Sequence, residues 1–280
     1  MNMNNALKEC STNESITEIS EMQTEFMKKH KRHHHRITFF RLFILVAFLL
    51  VWEFCAKTEL IDSFFFSSPS MIIDYFLEMI TNGSFFSHTG ITLLETLLSF
   101  FFISIFSLIC ATCLWFSKTA SELFEPYLVV LNSLPKSALA PLFIVWLGAG
   151  MTTIIVAGIS VALFGSIISL ATGFKQADSE KIKLIKTLGG SRMTAFIKVV
   201  LPSCIPNIFS NMKVNIGLSL VGVIIGEFLA GRRGLGYLII YGSQVFRLNM
   251  VITSIMILCA IAMLLYQSLQ WAEHYYLKKK

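Results

Sequence analysis

Apolar residues run through this chain in long uninterrupted stretches rather than short alternations. No Asp, Glu, Lys or Arg lies between Thr96 and Ser117, or between Ser137 and Phe174. A helix needs about 20 apolar residues to cross hydrocarbon, so the first stretch predicts one span at 91–116. The second is too long for one crossing. Gly148-Ala149-Gly150 divides it into spans at 126–147 and 151–173. Further spans are predicted at 37–56, 206–229 and 249–271. The one at 37–56 has Arg41 and Glu53 at the ends of its uncharged core, where they snorkel or pair, and the one at 206–229 is interrupted by Lys213 and Glu227. After the first span, Ser68-Pro69 reads as N-cap and first helical residue, and Asn82-Gly83 as a stop. Between them Met71, Ile72, Tyr75, Phe76, Met79 and Ile80 recur at helical spacing opposite Asp74 and Glu78, which predicts an amphipathic helix lying at the membrane interface.

Composition turns these runs into a class assignment. Of 280 residues, 55% are hydrophobic and only 14% charged, against about 45–50% and about 25% in soluble domains. The fold class expected is therefore an all-α polytopic membrane protein of about six helices, with no room for a separate soluble enzyme domain. The formal charge of +6 sits at the flanks of apolar runs, which suits anionic lipid and topology rather than nucleic acid. Residues 1–36 read as a cytoplasmic extension, and the first 27 are too polar for a secretory signal. The run Lys28–Arg36 holds four His among Lys and Arg; these cations repel a metal and favour contact with headgroups. Lys175, Lys181, Lys183, Lys186, Arg192 and Lys198 crowd the loop at 174–205, and Lys278–Lys280 end the chain. Both termini and this loop are thus expected in the cytoplasm, with Arg232, Arg233 and Arg247 as exceptions. Six cysteines are scattered; Cys110 and Cys113 form a CxxC inside an apolar run without a second pair, so they read as two small residues on adjacent turns.

The loop carries the most information. Ile182, Ile185 and Leu188 fall three apart on a short helix whose other side bears Lys181, Lys183 and Lys186. Gly189-Gly190 permits a sharp reversal, and Ser191 caps a second helix through Phe196, Val199 and Val200 that is expected to stop at Leu201-Pro202. Such an elbow either docks on another protein or packs as a solvated loop on its own bundle. Ionisable residues within spans attract attention because they are costly there. Glu227 reads as a gate or binding-protein contact, or as an ion pair with Arg232 and Arg233. Lys136 either attracts an anion or snorkels; Glu95 is expected at the interface. Asn207, Asn211 and Asn215 recur every four residues, a polar stripe expected to face a partner subunit or a wet pathway. Pro135 and Pro141 either bend the third span or are accommodated by neighbours. His88 and His274 are isolated, which argues against a metal site or a membrane-embedded enzyme. Gly226-x4-Gly231-Arg232 has P-loop spacing but lacks the Lys-Ser/Thr, so no ATP site is expected.

The elbow resembles the coupling motif of ABC-importer permeases, EAA-x3-G-x9-I-x-LP. It stands here as Lys183-Leu184-Ile185, Gly189, Val199 and Leu201-Pro202, with the initial EAA replaced. Leu134-Pro135-x5-Pro141-Leu142-x3-Trp146-x-Gly148, Gly226-Glu227-Phe228 and Gly234-Leu235-Gly236-Tyr237-Leu238-Ile239 are similar to permeases for nitrate, sulfonate, taurine and thiamine-pyrimidine precursors, in order over roughly 60–272. The resemblance implies a type I importer fold in the plasma membrane of a prokaryote and a homodimer of two permease copies. It also implies two cytoplasmic ATPases that use ATP and Mg, and an extracytoplasmic solute-binding protein. Lys183, Leu184, Ile185, Gly189, Gly190, Val199, Leu201 and Pro202 would couple to the ATPase. The solute would be small and polar, a sulfonate-, nitrate- or taurine-like anion or a pyrimidine precursor. A vitamin importer lacking a soluble binding protein is the nearest rival, but its Ala-Arg-Gly signatures are absent from the sequence.

Overall fold

A computed structural model describes residues 40, 43–44, 46–58, 60 and 66–278. The extension at 1–36, with its His run, and part of the span expected at 37–56 lie outside them. The chain divides into two units, Met1–Pro69 and Ser70–Lys280. In the first, residues 46–57 are helical and Lys57 pairs with Glu53 at 3.1 Å.

The second unit is helical throughout its described length. Helix α1, Pro69–Thr81, turns at Gly83 (φ +73°) straight into α2, Ser84–Phe116. Ile72 and Met79 are buried, while Asp74 and Glu78 stay exposed, the amphipathic division that the spacing predicts. Helix α2 begins at Ser84 rather than near 91, because the Gly83 turn leaves no linker between the two helices. Glu95 therefore falls inside the helix and is buried, not interfacial.

The crossing expected at 126–147 is instead two helices, α3 (Lys118–Ser133) and α4 (Lys136–Leu147), bent by 93° at Leu134-Pro135. The residue before a proline is driven out of the helical region, and Leu134 is extended accordingly (φ −62°, ψ 138°). Pro126 and Pro141 sit inside α3 and α4 without breaking them. Lys136 Nζ donates to the carbonyls of Leu131 and Asn132, both at 2.7 Å, so it caps the end of α3. Gly148–Gly150 then separates α4 from α5, Met151–Lys175.

Helix α6 is Ser179–Thr187, and α7 runs without interruption over Arg192–Ala230. The stop expected at Leu201-Pro202 does not occur. A π turn at Phe196–Val200 shifts the hydrogen-bond register immediately before Pro202, and Pro206 is carried within the helix. A short α8 (Leu235–Gln244) and the long α9 (Leu248–Lys278) complete the unit. Among the described residues four helices, α2, α5, α7 and α9, are long and apolar enough to cross a membrane, or five crossings if the bent pair counts as one.

Small residues set how closely these helices approach. A Cβ on Gly222 of α7 would lie 2.7 Å from Gly158 Cα of α5, and one on Gly226 2.8 Å from Ile154 Cα. A Cβ on Gly158 would meet Ser99 Oγ of α2 at 2.5 Å. Helices α5 and α7 thus pack backbone to backbone, and α2 meets α5 through the small Ser99 side chain, which is how membrane helices gain contact where water offers no drive to associate. Two apolar clusters cap this core at opposite ends. One, around Leu220, Leu235, Leu238, Met250 and Ile257, joins α7, α8 and α9; the other, around Ala111, Phe174, Phe196 and Val200, lies beneath the elbow.

Candidate functional site

The elbow is built by three local rules. Asp178 caps α6, its carboxylate accepting from the N–H groups of Glu180 (2.9 Å) and Lys181 (3.4 Å). Those N–H groups hold the Asp178 carboxyl below its ordinary range. At the other end Gly189 N–H donates to Lys186 O (3.0 Å) and Gly190 N–H to Ile185 O (2.8 Å), the paired bonds of a Schellman stop. The two glycines do different work. Gly189 has φ +80° with open space where a Cβ would go, whereas a Cβ on Gly190 would lie 2.5 Å from Ile185 Cγ2. Ser191 Oγ then accepts from Thr194 N–H and starts α7.

The apolar side of α6 is divided. Ile182 packs on the cluster of Phe174, Phe196 and Val200, and Ile185 is half-buried against Gly190. Leu184 (58% exposed) and Leu188 (75% exposed) point away from the chain, as do Met193 and Ile197 at the start of α7. The expected ridge of Ile182, Ile185 and Leu188 is therefore not one face. Ile182 holds the elbow to the bundle, Ile185 packs within the elbow on Gly190, and Leu188 joins Leu184 on the open side. Lys183 pairs with Glu180 at 3.1 Å. Val199 and Leu201 are partly buried in the π turn and at its end, followed by Pro202.

One anchor was not visible in the sequence. Arg192 Nη2 donates to the carbonyl of Trp115 at 2.8 Å, and its guanidinium lies 5.2 Å from the Trp115 ring centre and 5.9 Å from that of Phe116. The start of α7 is thereby fastened to the end of α2. Trp115 and Phe116 also pack on Phe196, and Phe174 meets the same ring edge-on.

The asparagine stripe faces α5. Asn211 and Asn215 are buried and share Ser166: Ser166 Oγ–H donates to Asn211 Oδ1 at 2.9 Å, and Asn215 Nδ2 donates to Ser166 Oγ at 2.8 Å and to Asn211 Oδ1 at 2.6 Å. Asn207 packs so closely on Gly173 that a Cβ there has no room. The stripe therefore bonds two long helices. Beside it lies a cavity of about 220 Å³, lined by Ser104, Ser107, Leu108, Leu170, Asn211 and Asn215 among others, where Ser104 Oγ is enclosed without a partner.

Glu227 is completely buried near the other end of α7. Its partners are Thr92, Glu95 and the backbone N–H groups of Gly236 and Tyr237, not Arg232 or Arg233. Lys213, the other charge within α7, forms a 2.7 Å ion pair with Glu273 of α9.

Comparison with known proteins is consistent along the chain. Residues 103–272 match the profile of the family described as "Binding-protein-dependent transport system inner membrane component". A probable ABC transporter permease protein of Haemophilus influenzae is 29% identical over 83% of this chain and 94% of its own length. The taurine transport system permease protein TauC of Escherichia coli is 25% identical over 79% of this chain and 82% of its own. Among solved structures, the inward-facing MetNI methionine ABC transporter superposes with a TM-score of 0.60 at 17% identity, over 66% of this chain and 93% of that one. An amino acid ABC transporter with histidines gives 0.56 at 19% identity, over 73% and 98%. Likeness at this identity concerns the fold, which is that of the type I importer transmembrane domain.

Proposed function

Because the chain belongs to the family of binding-protein-dependent transport system inner membrane components, we propose that its α6–α7 elbow is the handle by which a cytoplasmic ATPase drives it. The chain itself is the multi-pass plasma-membrane permease subunit of an ABC importer and not an enzyme; ATP hydrolysis lies in a separate subunit. The family's dependence on a binding protein displaces the rival of a binding-protein-free vitamin importer.

The observation that carries the coupling role is the exposed pair Leu184 and Leu188, held outward by the Gly189-Gly190 stop while Ile182 packs on the bundle. An apolar knob on a short, capped and firmly anchored helix suits a groove in a partner. Lys183, Leu184 and Gly189 form its surface; Ile185, Gly190, Val199, Leu201 and Pro202 fix its angle. The ATPase partner supplies the site for ATP and Mg, and closure of two such partners moves two permease copies as rigid bundles.

The solute route is assigned to the side of α7 that borders the cavity between α2 and α5, where Ser104, Ser107, Asn211 and Asn215 offer polar groups. Asn207 continues that stripe toward the elbow. The solute class is small and polar, a sulfonate- or taurine-like anion or a pyrimidine precursor. Relatives are named for aliphatic sulfonates, taurine, riboflavin and formylaminopyrimidine. The test is to purify the permease with its ATPase and binding protein and identify the ligand held by the binding protein by mass spectrometry. The paired variants Leu184→Asp and Leu188→Asp should release the ATPase while leaving membrane insertion intact. ATPase retained at wild-type levels would overturn the docking assignment.

A further inference from the structure

Four successive amides open α8, and every one is captured by a side chain from elsewhere. Gly234 N–H donates to His88 Nδ1 at 3.1 Å in the tautomer that leaves this nitrogen bare (in the other, Nδ1–H donates to Gly234 O, also at 3.1 Å), and Leu235 N–H donates to Thr92 Oγ1 at 2.8 Å. Gly236 N–H donates to Glu227 Oε2 at 2.5 Å, and Tyr237 N–H donates to the same carboxylate. The Thr92 hydroxyl, having accepted from Leu235, donates to Glu227 Oε1 at 2.7 Å. The donors that a helix start leaves without partners are all satisfied here by α2 and α7. The glycine spacing of this segment follows from the same contact. A Cβ on Gly234, whose φ is +114°, would lie 2.3 Å from the Glu227 carboxyl carbon, and one on Gly236 would lie 2.8 Å from its Oε2.

A second tie closes the frame. Helix α7 starts at Arg192 on the end of α2 (Trp115) and finishes with Glu227 on the beginning of α2 (Thr92). Along α2 the two ties are about 35 Å apart at 1.5 Å per residue. Tied at both ends, α7 cannot slide along α2, so a push at the elbow must arrive at α8.

We propose that Glu227 is a positioning residue, the latch that makes α2, α7 and α8 move as one body when the elbow is displaced. This rests on the elbow being the ATPase handle. The chemistry favours a carboxylate: Oε2 accepts from the fixed amide of Gly236 and Oε1 from the Thr92 hydroxyl, so an amide could keep the first bond only by turning its NH₂ to Thr92 and forcing that hydroxyl to reverse. Glu95, also buried, completes the latch. Its carboxyl contacts that of Glu227 while its Oε2 has no hydrogen-bond partner. Glu95 is a side-chain hydrogen-bond partner of Glu227, and a glutamine, whose amide can donate, keeps that bond.

The test uses the full complex of permease, ATPases and binding protein in nanodiscs. With the native cysteines replaced, one permease copy per complex carries spin labels on Phe101→Cys in α2 and Tyr241→Cys in α8, both exposed, so that only the distance within one chain is read. Distances are measured without nucleotide and after trapping with ATP and vanadate. Otherwise wild-type chains should give one unchanged distance in both states. Glu227→Gln should open a second distance in the trapped state, its population raised roughly tenfold by loss of a buried hydrogen bond. Glu95→Gln should behave as wild type and Glu95→Leu should not. Broadening of equal size in both states would mean a mere brace and overturn the proposal. So would an unchanged Glu227→Gln distribution, or two distances in the unmutated latch. Thr92→Val removes one donor and carries the test if Glu227→Gln does not fold. ATPases that fail to attach to the unmutated permease would instead remove the handle reading, and the transmitted stroke with it.

Discussion

Arg192 holds Trp115 twice, through a 2.8 Å hydrogen bond to its carbonyl and by lying over its ring. The two residues join the elbow to the end of α2, so force applied to α6 has a direct path into the longest packed pair of helices. Arg192→Ala should weaken this anchor by about 2 kcal/mol, a typical sum for an exposed cation–π contact and its hydrogen bond. Insertion and ATPase attachment should persist, while binding-protein stimulation of ATP hydrolysis falls several-fold. Arg192→Lys should recover only part, because an ammonium lacks the planar fork. Full stimulation in Arg192→Ala would show that the anchor is not in the path.

The two elbow glycines should fail differently. Gly189→Ala forces a side chain into a left-handed conformation at a cost of about 1–2 kcal/mol, but into open space. It should reduce ATPase co-purification without abolishing it. Gly190→Val collides with Ile185 and must splay the Schellman turn, so the ATPase should be lost while the permease remains abundant in the membrane. Equal behaviour of the two variants in quantitative pull-downs would contradict the separate roles.

Where α5 and α7 touch, Gly222 admits no side chain: the nearest atoms to a Cβ there are Gly158 Cα at 2.7 Å, Val161 Cγ2 at 2.9 Å and the backbone oxygen of Ala157 at 3.0 Å. Gly222→Leu should cost about 3 kcal/mol or more, the upper range for overpacking. Thermal unfolding of the detergent-purified protein, followed by tryptophan fluorescence, should report a melting point lower by several degrees. Gly217→Ala on the same helix, where a Cβ meets nothing, is the control and should leave it in place.

Lys213 and Glu273 bridge α7 and α9 at 2.7 Å with about a fifth of each side chain exposed. Removing one partner leaves the other charge between two apolar helices. Lys213→Met and Glu273→Met should each lower the melting temperature, and the double variant should recover most of the loss. A double variant as unstable as the sum of the singles would mean the pair is not coupled.

How far these features can be read from the sequence differs by element. Helix α1, the Gly148–Gly150 break and the Gly189-Gly190 reversal are legible because each depends on residues a few positions apart. The bend at Leu134-Pro135 is half legible: the proline marks it, but nothing nearby says whether the helix kinks or turns through 93°. The continuity of α7 through Pro202 is hidden, since a π turn leaves no compositional trace. Least legible are contacts made across the fold. Glu227, seven positions before Gly234, gives no hint that its carboxylate fills the space the glycine leaves. The asparagines advertise polarity, yet only Ser166 on another helix decides that they bond α5. Arg192 looks like one more positive charge in a basic loop until Trp115 is placed beneath it.

The π turn at Phe196–Val200 has one more consequence. Each residue of an α-helix advances the azimuth by about 100°, and this turn accommodates one residue more than an α turn does. It therefore sets the rotational phase between everything on the elbow side and everything on the Gly222 side. Deleting a single residue there would let the turn relax to ordinary helix while every side chain stays chemically intact. Leu184 and Leu188 would then keep nearly their present azimuth relative to Glu227, whereas the same deletion in the regular helix beyond Pro206 would swing them by about 100°.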